Sequence, residues 1–277
     1  MFTAYKDAHV VVTGGANGIG KALALGFAKR GANVAVVDIH GDEAKAVAAE
    51  ITAMGCKSIA IQADVSVLDE CAKVYDTVMD AFGRCDVLVN DAGVSALSDV
   101  EHIPEKDLRW VFETNVYSHW FMMQKFLPQM RKQGTHCQIL NVCSIAGLIS
   151  MNGAPAYFSS KHAAVALSEC VYKQLKAENA NIDISIFCPG YVQTEMHLTD
   201  RHRPERFTIT RSSTPAWLHS TKCFWTVGLR WILQLKPSLL LWKKNSSTSW
   251  TAPNTSVCCV SRAYLRRKKF APWTSIR

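Results

Sequence analysis

Short apolar runs alternate with longer amphipathic stretches from residue 8 to residue 190. His9-Val10-Val11-Val12 reads as a buried strand, and Asn33 to Val37, Ser58 to Gln62, Val87-Leu88-Val89, Gln138 to Val142 and Ile182 to Phe187 read as five more. Between them, Lys21 to Arg30, Glu43 to Ala53, Leu68 to Phe82, Leu108 to Met130 and Tyr157 to Ala177 read as helices, with apolar residues at helical spacing. Gly31 and Gly55 follow the first two as stops. Strands alternating with helices of this length predict an α/β fold, a doubly wound parallel sheet covered by helices on both faces. Ligands of such a sheet sit at the carboxyl ends of its strands. No internal repeat is visible.

Thr13-Gly14-Gly15-Ala16-Asn17-Gly18-Ile19-Gly20 follows the first strand and opens the first helix. Glycines there let the backbone approach a diphosphate, which also meets the positive end of the helix. An ordinary tight turn would show the same cluster. The strand before it, the helix after it, and Asp38 at the end of the second strand favour a dinucleotide site of Rossmann type. A carboxylate at 38 can accept hydrogen bonds from both adenosine ribose hydroxyls and repels a 2′-phosphate. Ile39 and His40 supply no Arg or Lys to bind that phosphate, and Asn17 is uncharged. The pattern predicts NAD as cofactor rather than NADP; a solvated strand-end Asp is the alternative reading.

Tyr157-Phe158-Ser159-Ser160-Lys161 sets Tyr and Lys four apart, on one face of a helix. A phenol titrates near ~10 and is a poor base at neutral pH, whereas a neighbouring ammonium favours the phenolate. The pair therefore suits acid/base work. A surface Tyr stacked on a Lys stem would look the same.

Taken in order, these segments resemble the short-chain dehydrogenase/reductase family in its single-domain branch, from about residue 7 to about 205. TGxxxGxG is residues 13–20, and Asp64-Val65 matches the pair whose Asp meets the adenine amino group. Asn90-Asp91-Ala92-Gly93 resembles the family's NNAG turn with Asp91 in place of the second Asn. Asn115 in Thr114-Asn115-Val116 matches the family's catalytic Asn, and Asn141-Val142-Cys143-Ser144-Ile145-Ala146-Gly147 resembles NVSSxAG, making Ser144 the catalytic serine. Pro189-Gly190-Tyr191-Val192-Gln193-Thr194 resembles the PGxVxT segment that holds the nicotinamide carboxamide.

The resemblance implies an NAD(H)-dependent oxidoreductase that interconverts a secondary alcohol and a ketone. Asn115, Ser144, Tyr157 and Lys161 would be its catalytic residues. Its cofactor would be held by Thr13, Gly14, Asn17, Gly18, Ile19, Gly20, Asp38, Asp64, Val65, Asn90, Ala92, Gly93, Tyr157, Lys161, Pro189, Gly190, Val192 and Thr194. Ser144 would hydrogen-bond the substrate oxygen, Tyr157 would move the hydroxyl proton, Lys161 would bind the nicotinamide ribose, and Asn115 would order a water chain to Lys161. A structural Asn115 bridging backbone groups is compatible with the same position. Cys143 reads as packing, because no His base is placed beside it. Met151, Asn152, Phe158 and Tyr191 are candidate substrate-pocket residues. A homodimer through the helices at 108–130 and 157–177 is expected, with a tetramer left open.

Composition divides the chain. Its formal charge is +8, yet all 23 acidic residues precede residue 206. Residues 206–277 carry 13 Lys and Arg, no acid, and six of the eight tryptophans. We therefore separate residues 1–205, the dinucleotide-binding and catalytic domain, from an atypical basic tail over 206–277. A basic segment for nucleic acid or anionic membrane is one account of such a tail. A shifted reading frame is the account favoured here. Shifted one base earlier, the codons allowed for Trp242 to Trp250 encode Glu, Lys or Glu, and a run of apolar residues around Tyr, His, Asn or Asp, the pattern of a closing strand. A disturbed tail also admits a second reading, a catalytically impaired dinucleotide-binding protein.

The remaining totals exclude more than they add. No run approaches the about 20 apolar residues of a membrane span. Met1-Phe2-Thr3-Ala4-Tyr5-Lys6-Asp7 shows no apolar run ahead of a cleavage site, so no secretory signal is expected. The ten cysteines form no CxxC pair and no His/Cys metal spacing. No metal, no nucleic acid, no membrane and a reducing, cytoplasmic setting are the expectations.

Overall fold

Strands that are apolar on both faces are stable only between two covering layers, and the computed structural model of the chain places them there. It describes residues 5–190, 192 and 194–209; the expectations for Tyr191, Gln193 and the tail from 210 to 277 lie outside the described residues. Strands β1 (His9–Thr13), β2 (Asn33–Asp38), β3 (Ser58–Gln62), β4 (Val87–Asn90), β5 (Cys137–Val142) and β6 (Ile182–Phe187) form one parallel sheet in the order β3-β2-β1-β4-β5-β6. The order reverses between β1 and β4, which opens a crevice at their carboxyl ends.

Helices α1 (Gly18–Ala28), α2 (Gly41–Ala53), α3 (Leu68–Phe82), α4 (Glu105–Phe112), α5 (Ser118–Lys132) and α6 (Pro155–Ala177) cover the sheet. The strand period of two sorts the core. Val10, Val12, Val34, Val36, Val87 and Val89 meet Ala24, Phe27, Val47 and Ile51 of α1 and α2. Val11, Val37, Leu88 and Ile139 point the other way, to Val74 and Val78 of α3 and to Met122 and Phe126 of α5. Burying one such Val or Leu is worth roughly 1.5–3 kcal/mol.

Three boundaries differ from the sequence reading, each for a local reason. Helix α1 starts at Gly18 instead of Lys21, because the Asn17 side-chain oxygen accepts from the Gly18 N–H at 2.6 Å and caps it. Helix α6 starts at Pro155, two residues before Tyr157, where the missing N–H of proline costs nothing. The continuous helix expected over Leu108 to Met130 is instead α4 and α5 joined by a π-helical turn, Glu113–Tyr117. A π-turn inserts one extra residue and re-aims the side chains within it. Asn115 is one of them.

The carboxyl ends of β1 and β4 are tied together. Thr13 Oγ1 accepts from the backbone N–H groups of Asp91 (3.1 Å) and Ala92 (3.3 Å). Asn90 Nδ2 donates to Asn141 Oδ1 at 2.8 Å, and Asn141 Nδ2 donates to Ser168 Oγ at 2.9 Å, a buried chain across β4, β5 and α6. The Asp91 carboxyl accepts from the Gly20 N–H; burial pushes its pKa from 3.8 up to about 7, against the pull of the Lys161 ammonium and that N–H.

A carboxyl with a raised folded-state pKa stabilises the fold fully below pH 3.8, and its contribution falls as pH rises to about 7. Asp91→Asn keeps the shape and an acceptor without the charge. It should raise the unfolding midpoint by roughly 5 °C at pH 8 and leave it nearly unchanged at pH 4, as read by scanning calorimetry. Equal shifts at both pH values would exclude the charge as cause.

Candidate active site

The crevice widens into a cavity of about 710 Å³ at the carboxyl end of the sheet, within the range of cofactor and ligand sites. One wall is the turn into α1, where Gly14, Asn17, Gly18 and Ile19 face the cavity. Gly14 has φ +65°, and a Cβ on it would stand 2.9 Å from the Ala92 backbone, so the turn has no space for a side chain there. With the open N-terminus of α1 behind it, this wall fits a diphosphate.

Asp38, Asp64 and Val65 line the end of the cavity under β2 and β3. Asp38 is fixed by two backbone donors: Oδ2 accepts from Ala16 N–H (3.1 Å) and Oδ1 from His40 N–H (3.0 Å). Both oxygens keep further lone pairs for ribose hydroxyls. Asp64 has more partners than the sequence suggested. Its Oδ1 accepts from Ser66 N–H (3.1 Å) and Ser66 Oγ (2.5 Å), and Arg206 Nη1 donates to its Oδ2 at 2.6 Å.

Arg206 belongs to a segment, Glu195 to Phe207, that crosses the front of this end. Asn17 Nδ2 donates to Glu195 Oε2 at 2.5 Å, and Arg201 pairs with Glu195 (2.7 Å) and Glu43 (3.3 Å). The His202 ring meets the His40 ring nitrogen to nitrogen at 2.8 Å. Burial, then the neighbouring His40 and Arg201, hold the His202 pKa below its ordinary value. The Arg203 guanidinium lies 4.0 Å from the Trp110 ring and bonds Asp107 at 2.6 Å. Apart from Arg201–Glu195, six residues apart, these contacts carry no sequence signal, since their partners lie more than ninety residues apart.

Ser144, Tyr157, Lys161, Pro189, Gly190, Val192 and Thr194 line the other end, with Ala92 and Gly93. Ser144 precedes a short 3-10 turn, Ile145–Gly147, and its Oγ accepts from Ala146 N–H at 3.1 Å, which leaves the hydroxyl hydrogen free. Lys161 is 3% exposed; its Nζ donates to Val142 O at 3.3 Å and lies 5.9 Å from the centre of the Tyr157 ring. Of the candidate substrate residues, Met151 and Phe158 reach the wall and Asn152 does not.

Four expected site residues stand behind the wall instead of on it. Thr13 and Asn90 make the ties across the strand ends described above. Gly20 packs on the first turn of the loop, where a Cβ would lie 2.0 Å from Gly14 O. Asn115 is fully buried: its Oδ1 accepts from Val94 N–H (2.8 Å), and its Nδ2 donates to Val94 O (2.9 Å) and Ser160 Oγ (3.0 Å). Asp91 was seen only as a motif departure; its enclosure on the cavity floor needed the fold.

No group of three or more His, Cys, Asp or Glu able to hold a metal occurs among the described residues, and none of their helices is long and apolar enough to cross a membrane.

Similarity to known proteins agrees with this geometry. A curated relative from Lactiplantibacillus plantarum, a CLA biosynthesis dehydrogenase/reductase, is 35% identical over 204 residues, 74% of this chain and 71% of the relative. The 1-deoxy-11-beta-hydroxypentalenate dehydrogenase of Streptomyces exfoliatus is 34% identical over 188 residues, 67% of this chain and 68% of that enzyme. Among solved structures, a short chain dehydrogenase/reductase from Burkholderia phymatum in complex with NAD superposes with a TM-score of 0.77 at 29% identity, covering 85% of this chain and 82% of that one. The sequence model of the short chain dehydrogenases matches residues 8–205, and the chain belongs to that oxidoreductase family.

Proposed function

We propose that this protein is an NAD(H)-dependent oxidoreductase that interconverts a secondary alcohol and a ketone, with the catalytic work in residues 1–205 and Tyr157 as acid/base. The observation that carries the reading is one cavity with Asp38 at one end and Ser144, Tyr157 and the buried Lys161 at the other. The NAD complex of the Burkholderia phymatum protein and the hydroxy compound named for the Streptomyces exfoliatus enzyme support it.

When bound, the dinucleotide supplies or accepts the hydride. The free hydrogen of Ser144 Oγ donates to the substrate oxygen and stabilises charge growing on it. Tyr157 gives its proton to a ketone oxygen, or takes one from an alcohol. Lys161 keeps donors beyond its bond to Val142 O; these would hold the nicotinamide ribose, and its positive charge would stand beside the phenol while the proton moves. Both amide hydrogens of Asn115 are engaged, so its part in a water chain falls to the second lone pair of Oδ1. The structural and the water-ordering readings of Asn115 thus coexist.

The proposal includes a homodimer. Leu108, Tyr117 and Trp120 are exposed large side chains along α4, the π-turn and α5, at 39%, 48% and 53%, and a second copy would cover them.

Three outcomes follow. In fluorescence titrations the protein should bind NADH more tightly than NADPH by about tenfold or more, with Asp38→Ala narrowing the gap, because a carboxylate beside a 2′-phosphate costs at least ~1.4 kcal/mol; tighter NADPH binding by the unaltered chain would refute the assignment. Tyr157→Phe should lower turnover by about 10²–10⁴ while NADH binding stays nearly intact, a split that steady-state kinetics and titration separate. Sedimentation should find a dimer at micromolar concentration and a shift toward monomer in Trp120→Lys; a monomer in both would remove the dimer from the proposal.

A further inference from the structure

Cys143 and Cys188 stand beside each other at the ends of β5 and β6. Val142 pairs with Phe187 in the parallel ladder and Cys143 N–H donates to Phe187 O at 2.8 Å, so 143 and 188 are next in register. Neighbouring strands lie about 4.8 Å apart. A disulfide spans Cα separations of about 4.4–6.8 Å, so a bond here asks for little backbone movement. Both residues pack in one apolar cluster with Ala164, Val165 and Ile186, and each thiol shifts the titration of the other.

Burial alone would make both sulfurs inert, but their environments differ. Cys143 is the one cysteine among the described residues on the cavity wall. The Cys188 thiol and the Lys161 ammonium hold the Cys143 thiol below its usual pKa despite burial, whereas the hydrogen bond to Cys143 and burial push Cys188 up. Position thus makes Cys143, on the cavity wall and near the Lys161 ammonium, the attacking sulfur and Cys188, behind it, the resolving one. Cys85 and Cys137 make a contrast: they are also buried and mutually close, burial raises both, and neither reaches the cavity.

We propose that Cys143 and Cys188 are an oxidative modification site, converted to a disulfide by a peroxide that enters the cavity and shielded when a dinucleotide fills it. In the first step the Cys143 thiolate attacks one peroxide oxygen: an S–O bond forms, the O–O bond breaks, and hydroxide leaves. In the second, Cys188 sulfur attacks the sulfenic sulfur of Cys143: an S–S bond forms, the S–O bond breaks, and water leaves as the Cys188 proton is taken up. Two thiols lose two electrons and two protons, and one peroxide becomes two waters. Ser144 follows Cys143 directly, Pro189 follows Cys188 directly, and Ile145 N–H donates to Pro189 O at 2.9 Å, so the bond would form under the two segments assigned to substrate and nicotinamide. The shielding half rests on the cofactor reading above; the disulfide itself does not.

The test uses the full chain, reduced, freed of reductant and treated with hydrogen peroxide, then alkylated, digested and mapped by mass spectrometry. A cross-linked Cys143–Cys188 peptide that dithiothreitol reverses is expected, with Cys85 and Cys137 still alkylated. NADH at a hundred times its separately measured Kd should slow its formation about 100-fold, since only the free protein reacts. Cys143→Ser should abolish the cross-link, and Cys188→Ala should let Cys143 advance to sulfinic acid. Oxidation confined to the exposed Cys170, or a Cys85–Cys137 cross-link in its place, would overturn the site. A Cys143–Cys188 cross-link that forms equally fast with NADH bound would overturn the shielding and leave the cofactor reading untouched; failure of NADH to bind would defeat that reading while the peptide map still decides the site.

Discussion

Between Gly20 and the carbonyl oxygen of Gly14 there is room for a hydrogen and nothing larger. A Cβ at 20 would come within 2.0 Å of that oxygen and 2.7 Å of Asp91 Oδ2. This close approach wedges the first turn of α1 between the ends of β1 and β4, and the cavity is the space left in front of it. The turn's own donors are partly used: Asn17 takes Gly18 N–H and Asp91 takes Gly20 N–H. A charged Asp91 would sit close to the place proposed for a diphosphate. Burial keeps its proton on to about pH 7, so the wedge satisfies its backbone without setting two anions together.

The opposite end depends on a buried cation. An ammonium held at 3% exposure is unfavourable unless its surroundings are polar or negative. Here Val142 O accepts one hydrogen and the Tyr157 ring lies 5.9 Å away. The position is fixed from behind. A Cβ on Gly93 would stand 3.3 Å from both Asn115 Oδ1 and Lys161 Nζ, so that glycine leaves space for both polar groups. Asn115 in turn anchors Val94 and, through Ser160 Oγ, the helix that carries Tyr157. Asn115 enters this frame from the π-turn between α4 and α5, a local departure from α-geometry at a residue proposed to be catalytic.

The sheet was legible because each strand is a short run with Val or Ile at its centre between helical patterns, and every expected strand appears at nearly its expected place. The loop, Asp38, Ser144, Tyr157 and Lys161 were legible because motif spacing locates them one by one. Three things were not. The π-turn preserves apolar spacing on either side, so Leu108 to Met130 reads as one helix. The protonation of Asp91 depends on its burial against α1, which outweighs the pull of Lys161, and no local pattern contains either. The contacts of Arg206 with Asp64 and of His202 with His40 join residues 142 and 162 positions apart, and only the folded chain shows them.

That last group bears on cofactor choice. The sequence places no Arg or Lys directly after Asp38, yet the fold delivers Arg201 and His202 to that side of the cavity. A cation there would favour a 2′-phosphate and work against the discrimination assigned to Asp38. Arg201, however, is shared between Glu195 and Glu43, which together outweigh its charge. Burial, with His40 and Arg201 beside it, disfavours a charge on His202. Arg206 is paired with Asp64. Each imported cation is thus offset by a carboxylate or by burial, which leaves the Asp38 carboxylate, fixed on the cavity wall by the Ala16 and His40 N–H groups, free to act as the proposed NAD reading requires.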